Sequence, residues 1–251
     1  MKRTELNAKL NAWLQPEKFR DVAENGLQVE GRADIQRVVC GVSANQALID
    51  AAVEKKADAI FVHHGLVWGG GIRALKGWLA ARIRTLMAHE ISLFAYHLPL
   101  DAHPTFGNNA GLADALDMGE TRIPFGEYKG QAIGIQGELT EPRTLDSMVA
   151  RIETQVGAPL AVFGDGSRTI RKIGICSGGA PDLLHQAIDE GLDLYLTGEV
   201  TEWVQAVALE SDVAFVAAGH HASERFGARR MAEVLRQEGL DAEFVDVENP
   251  A

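Results

Sequence analysis

The chain has 251 residues, 46% of them hydrophobic and 24% charged, a balance that suits one large or two modest folded domains with a filled core. Its net charge of −11 argues against nonspecific nucleic-acid binding, which needs a basic surface. No apolar run reaches the roughly 18 residues of a membrane span, and the amphipathic start MKRTELNAKLNAWLQ lacks the apolar region of a signal peptide, so the cytoplasm is the expected compartment.

Past that start, IQRVVCGVS (35–43) reads as a strand, NQALIDAAVEKKA (45–57) as a helix and DAIFVHHG (58–65) as a buried strand. WLAARIRTLMAHE (78–90) is a predicted helix and ISLFAYHLPLD (91–101) a strand. Residues 126–166 break the rhythm: GQAIGIQGEL alternates like a strand, TLDSMVARIETQV repeats like a helix, and PLAVFGDGS runs into a turn. This region reads as a small added subdomain. The rhythm resumes with strand TIRKIGICS, helix PDLLHQAIDEG, strand LDLYLTGE, helix VTEWVQAVALES, strand DVAFVAAGHH and the long helix SERFGARRMAEVLRQEG. Such alternation predicts βαβ units and mostly parallel sheets. We expect an α/β metal-site domain from 1–125 plus 217–251, and a second α/β domain at 126–216 that includes the subdomain. Cys40 and Cys176 sit in apolar segments and read as buried thiols, not as a disulfide framework or a zinc site.

The order of elements repeats. An offset of 135 carries Asp58 onto Asp193 and His64 onto Glu199, and an offset of 123 carries His97 onto His220 and Asp101 onto Glu224. Any two βαβ units share an apolar pattern. Matching polar endings are not covered by that pattern, and they point to a tandem duplication.

The polar endings fall at the C-terminal ends of predicted strands, the edge where open α/β sheets bind ligands. His63, His64, Asp101, His220 and Glu224 are therefore the candidate metal ligands. Imidazole and carboxylate together suit zinc, iron, manganese or nickel. Adjacent histidines on a regular strand face opposite ways, so at a strand end each can serve a different ion, or one can brace the other. Three histidines and two acids are enough for two ions. Two cations about 3.5–4 Å apart can deprotonate a shared water and supply a hydroxide nucleophile. His97 and Glu199, the repeat counterparts of His220 and His64, are the candidate catalytic groups beside them. A nucleophile elbow, a Walker A loop and a Rossmann fingerprint are all missing. SGGA (177–180) precedes a predicted helix, and a strand-to-helix turn explains it more simply than an anion site. His89 and His185 lie in predicted helices and read as packed or solvated, His103 as a loop residue, and His221 as pointing away from His220.

Taken together, NGLQVEG, VHHG, YHLPLD, LTGE and GHHASE resemble the NIF-three-like family of dinuclear metal-centre proteins, of the YbgI type, whose members are often named type II homologs of GTP cyclohydrolase I. The resemblance runs from Asn25 to Glu248. It implies two interlinked α/β/α parts, the five ligands above, and a homohexameric toroid with metal sites facing its cavity. It also implies a hydrolase of a small nucleotide-like or heterocyclic substrate, of which GTP cyclohydrolase-type ring opening is one case. The alternative, from a different class, is a non-catalytic metal-binding or regulatory ring. A ring encircling DNA is disfavoured by the net charge of −11.

Overall fold

Apolar strands alternating with short helices fold here into two sheets. The computed structural model describes residues 1–71 and 74–251. In chain order the elements are α1 (Arg3–Leu14), β1 (Gly26–Val29), β2 (Arg37–Ser43), α2 (Gln46–Glu54), β3 (Ala59–His64), α3 (Gly77–Ala88), β4 (Ser92–Ala95) and α4 (Leu98–Asp101). Next come α5 (Asn108–Ala115), β5 (Met118–Tyr128), β6 (Gln131–Thr144), α6 (Leu145–Gln155), β7 (Ala161–Phe163), β8 (Thr169–Ile175) and α7 (Leu184–Asp189). The chain finishes with β9 (Leu194–Thr197), α8 (Val204–Glu210), β10 (Ala214–Ala217), α9 (His220–Ser223), α10 (Arg225–Gln237) and β11 (Asp241–Phe244). No helix among the described residues is long and apolar enough to cross a membrane.

Two compact units result. Unit 1 comprises Met1–Leu100 and Gly227–Glu248; unit 2 comprises Asp101–Phe226 and Asn249–Ala251. In unit 1 the sheet order is β1-β4-β3-β2-β11. Strands β11, β2, β3 and β4 run parallel, and β1 closes the edge antiparallel to β4. The middle strands are continuously buried, as parallel strands covered on both faces must be. Helix α2 starts where the Asn45 side chain accepts the Leu48 N–H, and it buries Leu48, Ile49 and Ala52 among Val39, Ile60 and Leu93. In unit 2 the order is β5-β6-β8-β9-β10-β7, with β8, β9 and β10 parallel and the other three antiparallel. Thr144 caps α6 in the same way, and Met148 and Ile152 of that helix enter the core beside Ile173 and Val216.

The duplication is written into the register. Val38 pairs with Ala59 in unit 1 and Ile173 with Leu194 in unit 2, the same pairing at the offset of 135. Asp58 Oδ2 accepts the N–H groups of Gln36 and Arg37 at 2.8 and 2.9 Å, and Asp193 Oδ2 accepts those of Arg171 and Lys172 at 2.9 and 2.8 Å. The next strands match at 122: Ala59 pairs with Ser92, and Leu194 with Ala214. The offset of 123 between His97 and His220 therefore holds only past β10. The extra residue there is Gly219, whose φ of 92° suits glycine.

The structure redraws two expected boundaries. Within 126–166, α6 and β7 are not additions. Strand β7 lies antiparallel to β10 as β1 does to β4, and α6 precedes β7 as α1 precedes β1. The added piece is the β5–β6 hairpin, and the charged, proline-bearing sequence of β5 hid that strand from the periodicity. The units also differ from the expected 1–125 plus 217–251 and 126–216. Leu112, Ala113 and Leu116 of the α5 segment share a core with Met118 and Leu139, and Ala218, Ala222 and Phe226 join that core, so both flanks belong to unit 2.

Asp58→Ala leaves two backbone N–H groups without their carboxylate and is expected to cost about 2–3 kcal/mol in urea unfolding. Asp193→Ala, at the less buried counterpart, is expected to cost less. Equal stabilities of Asp58→Ala and the parent would contradict this role.

Candidate metal centre

Unit 1 gathers three imidazoles. Strand β3 pairs with β4 only as far as Val62–Ala95, so His63 and His64 lie past the β4 ladder. There the two rings approach each other instead of facing opposite sides: their centroids are 4.5 Å apart. The His97 ring follows β4 and stands 5.0 Å from that of His63 and 5.7 Å from that of His64. One ligand nitrogen of each lies within 4.8 Å of the others, which makes the trio a group that could hold a metal ion.

Each ring is held from behind at Nδ1. His63 Nδ1 meets the Tyr96 carbonyl at 3.1 Å, His64 Nδ1 the Ser43 hydroxyl at 3.1 Å, and His97 Nδ1 the Asp21 carboxylate at 2.8 Å. A carbonyl or carboxylate only accepts, so His63 and His97 must donate there and keep the lone pair on Nε2. The Asp21 side chain is almost fully buried and also accepts from Asn25 Nδ2 and the N–H groups of Ala23 and Leu98. Burial alone would raise its pKa, but the hydrogen bonds from His97, Asn25 and Ala23 hold the carboxyl well below the usual range. Asn25 Oδ1 accepts the His97 N–H at 2.7 Å. Gln28 Oε1 accepts from Leu66 and Val67, fixing the loop that sets Trp68 edge-on to His97. The NGLQVEG stretch thus works as a bracket for the imidazole cluster.

Unit 2 gathers carboxylates around His220. The segments expected as strands ending in His-x-x-x-acid end differently. Strand β10 stops at Ala217 and His220 opens α9, while β4 stops at Ala95 and Asp101 closes α4. In the α9 turn His220 Nε2 reaches Glu224 Oε1 at 3.1 Å, and its Nδ1 reaches Glu199 Oε1 at 2.6 Å. Asp101 and Glu224 bring carboxylate oxygens within 4.8 Å of one another. Asp101 Oδ1 accepts from Asn108 Nδ2 and Ser177 Oγ, both at 2.9 Å. Gly178, at φ 69°, is pressed onto this group: a Cβ there would fall on Glu224 Oε1. SGGA is therefore a turn shaped by the carboxylates rather than an anion cradle. Its amides are also engaged, Ser177 N–H with Asn109 Oδ1 and Gly178 N–H with Ser223 Oγ.

The donor chemistry fits divalent cations. Asp101 is 6% and Glu224 2% exposed. Two buried carboxyl groups within 4.8 Å of one another are a costly arrangement that a bound cation relieves. Three neutral imidazoles and hard oxygens suit first-row ions.

The remaining histidines take other parts. His103 Nδ1 accepts the N–H groups of Thr105 and Phe106, and burial pushes its pKa down to about 4, so it serves its own turn. His185 stacks on Trp203. His89 ends α3, where its carbonyl accepts from Arg32. His221 is buried, and its N–H binds the Ala251 carbonyl. Asp21, Asn25, Ser43, Asn108 and Ser177 are site residues that sequence patterning did not single out. Asn25 and Ser177 stood inside quoted motifs, NGLQVEG and SGGA.

The chain is similar to known proteins along nearly its whole length. The family model described as Duf34/NIF3 (NGG1p interacting factor 3) matches residues 1–250. A Neisseria meningitidis serogroup B protein named GTP cyclohydrolase 1 type 2 homolog is 47% identical over 242 residues, 96% of each chain. Among solved structures, one described as protein ybgI, of unknown function, superposes with a TM-score of 0.93 at 42% identity over all of both chains. Another, TTHA1606 from Thermus thermophilus, gives 0.89 at 31% identity, again over all of both chains.

Burial works against a charged His220, but Glu224 and Glu199 hold its pKa up to about 9, against an ordinary 6.5. Its proton therefore stabilises the metal-free fold fully below 6.5, and that contribution fades as pH rises through about 9. An NMR titration of metal-free protein should place the His220 midpoint near 9 and show it fall in Glu224→Gln. A parent midpoint at or below 6.5 would contradict the arrangement.

Proposed function

This chain belongs to the Duf34/NIF3 family, and from that premise we propose that it is a metal-dependent hydrolase of small nucleotide-like or heterocyclic molecules. The ligands are His63 and His64 from unit 1 with Asp101, His220 and Glu224 from unit 2, serving two divalent ions of the zinc, iron, manganese or nickel group. The observation that carries the reading is the buried pair Asp101 and Glu224, whose like charges call for cations.

Bound divalent ions would lower the pKa of water, supplying a nucleophile near neutral pH with no serine or cysteine. The protein's own groups then have definite tasks. Ser43 and Tyr96 keep the imidazoles oriented, and Asn108 and Ser177 hold Asp101. Glu199, exposed and bonded to His220 Nδ1, is the group placed to hold a proton that leaves or enters the site.

The name carried by the Neisseria relative makes GTP the first substrate to try, with opening of the purine ring as the reaction. A second reading also has support. The family description names an interaction rather than a reaction, in keeping with a regulatory metal-binding ring, hexameric as the resemblance implies.

Elemental analysis of the purified protein, followed by GTP assays with manganese, iron and zinc, separates the two. Turnover should depend on the added metal and fall by roughly 100-fold or more in Glu224→Ala. Metal-loaded protein that binds GTP analogues no better than unrelated anions would remove the cyclohydrolase version. Tight metal retention with no turnover of any heterocycle would favour the regulatory reading.

A further inference from the structure

One aromatic pair in unit 2 belongs neither to the core nor to the carboxylate set. His185, in the first turn of α7, lies flat on Trp203, the residue that opens α8. Their ring centroids are 4.8 Å apart and their planes 6° from parallel. Trp203 is half-buried and His185 is exposed, so the imidazole forms the outer layer of the stack. One face of that ring is covered by indole, and the other is left for a third flat ring.

Both rings stand on chain that leads away from Glu199. A Cβ on Gly179 would meet Glu199 Oε2 at 2.8 Å, so these two residues lie against each other. From Gly179 one arm runs through Pro181–Leu183 into α7 and reaches His185. From Glu199 the other runs to Trp203, and the arms meet again in the stack. By chain length alone Trp203 stands within about 14 Å of Glu199. The first arm starts from a fixed point: the Ala180 N–H donates to Thr197 Oγ1 at 3.2 Å, and the Ala180 carbonyl accepts the Tyr195 hydroxyl at 2.6 Å. Two exposed acids flank the stack, Asp182 one turn before His185 and Glu202 next to Trp203. Carboxylates repel a phosphate and accept N–H donors. The base end of a nucleotide-like molecule suits this place, and its phosphate end does not.

We propose that the His185–Trp203 stack is a platform for the base of a purine-like substrate, with the heterocycle lying on His185 and its edge N–H groups toward Asp182 and Glu202. Stacking on an aromatic side chain is how an unpaired base is commonly gripped, and histidine serves for it. Trp203 is the positioning residue that keeps the imidazole flat. This role rests on the hydrolase reading above, whose substrate class it narrows. It needs no metal for the base to bind, so the two can fail separately.

The probe is GMP, added at constant pH to the full-length metal-free chain, with ribose 5-phosphate as the control that lacks a base. Proton NMR follows the carbon-bound ring protons of His185, identified by their loss in His185→Ala. GMP should move them upfield in a saturable way, as a stacked base does, and ribose 5-phosphate should leave them in place. Trp203→Leu, checked for folding by circular dichroism and thermal unfolding, should weaken the GMP response. In metal-loaded protein, His185→Ala should raise the KM for GTP roughly tenfold and leave kcat close to that of the parent. His185 protons that ignore GMP, or that respond equally to ribose 5-phosphate, overturn the platform. So does metal-dependent turnover of GTP whose KM is unchanged in His185→Ala, a result that leaves the hydrolase reading standing. A base-dependent shift of His185 with no turnover of any heterocycle keeps the platform as a binding site and removes the hydrolase reading instead.

Discussion

A neutral imidazole can offer a cation only the nitrogen that does not carry its proton, and the partner of the other nitrogen decides which that is. In unit 1 this constraint governs the whole neighbourhood. The Tyr96 carbonyl, the Ser43 hydroxyl and the Asp21 carboxylate each take the Nδ1 side of one ring. Strand positions alone would not achieve it. Tyr96 belongs to the chain leaving β4, Ser43 ends β2, and Asp21 comes from the irregular segment before β1. Register places the first two beside β3, since Ser43 pairs with His64 and the Tyr96 N–H binds the Val62 carbonyl. The sheet is therefore part of the site, because it sets the depth at which each partner meets its ring.

This explains why some of the site was legible in the sequence and some was not. His63, His64, Asp101, His220 and Glu224 stood out because each interrupts or ends an apolar run, where a polar side chain needs a reason. The α/β alternation was legible for the same cause: buried parallel strands read as continuous apolar stretches. Asp21, Asn25 and Gln28 act by side-chain bonds to backbone groups far away in sequence, which leave no periodicity. Tyr96 contributes a carbonyl, which every residue owns. The one-turn helices α4 and α9 were read as strand because the apolar letters before them run on without a break, and four residues are too few to reveal a helical period. Strand β5 failed in the opposite sense. It is an edge strand with much of its length exposed, so its sequence need not be apolar.

The duplication supplied two copies of one framework, and the two now bear different donors for a steric reason. At the offset of 135, His63 corresponds to Gly198 and Ser43 to Gly178. A Cβ on Gly198 would meet the Gly178 carbonyl at 2.7 Å and the His220 Cα at 2.7 Å, so unit 2 has no room for an imidazole there. A Cβ on Gly178 would strike Glu224 Oε1. Where unit 1 sets the Ser43 hydroxyl behind His64, unit 2 sets the Glu224 carboxylate itself. The counterpart of His64 is Glu199, which moves behind His220 and takes its Nδ1. Glycines at 178 and 198 thus let a carboxylate come into the space that a side chain occupies in the other copy. One ancestral strand end has become an imidazole set in unit 1 and a carboxylate set in unit 2, and the exchange rests on two positions where only hydrogen fits.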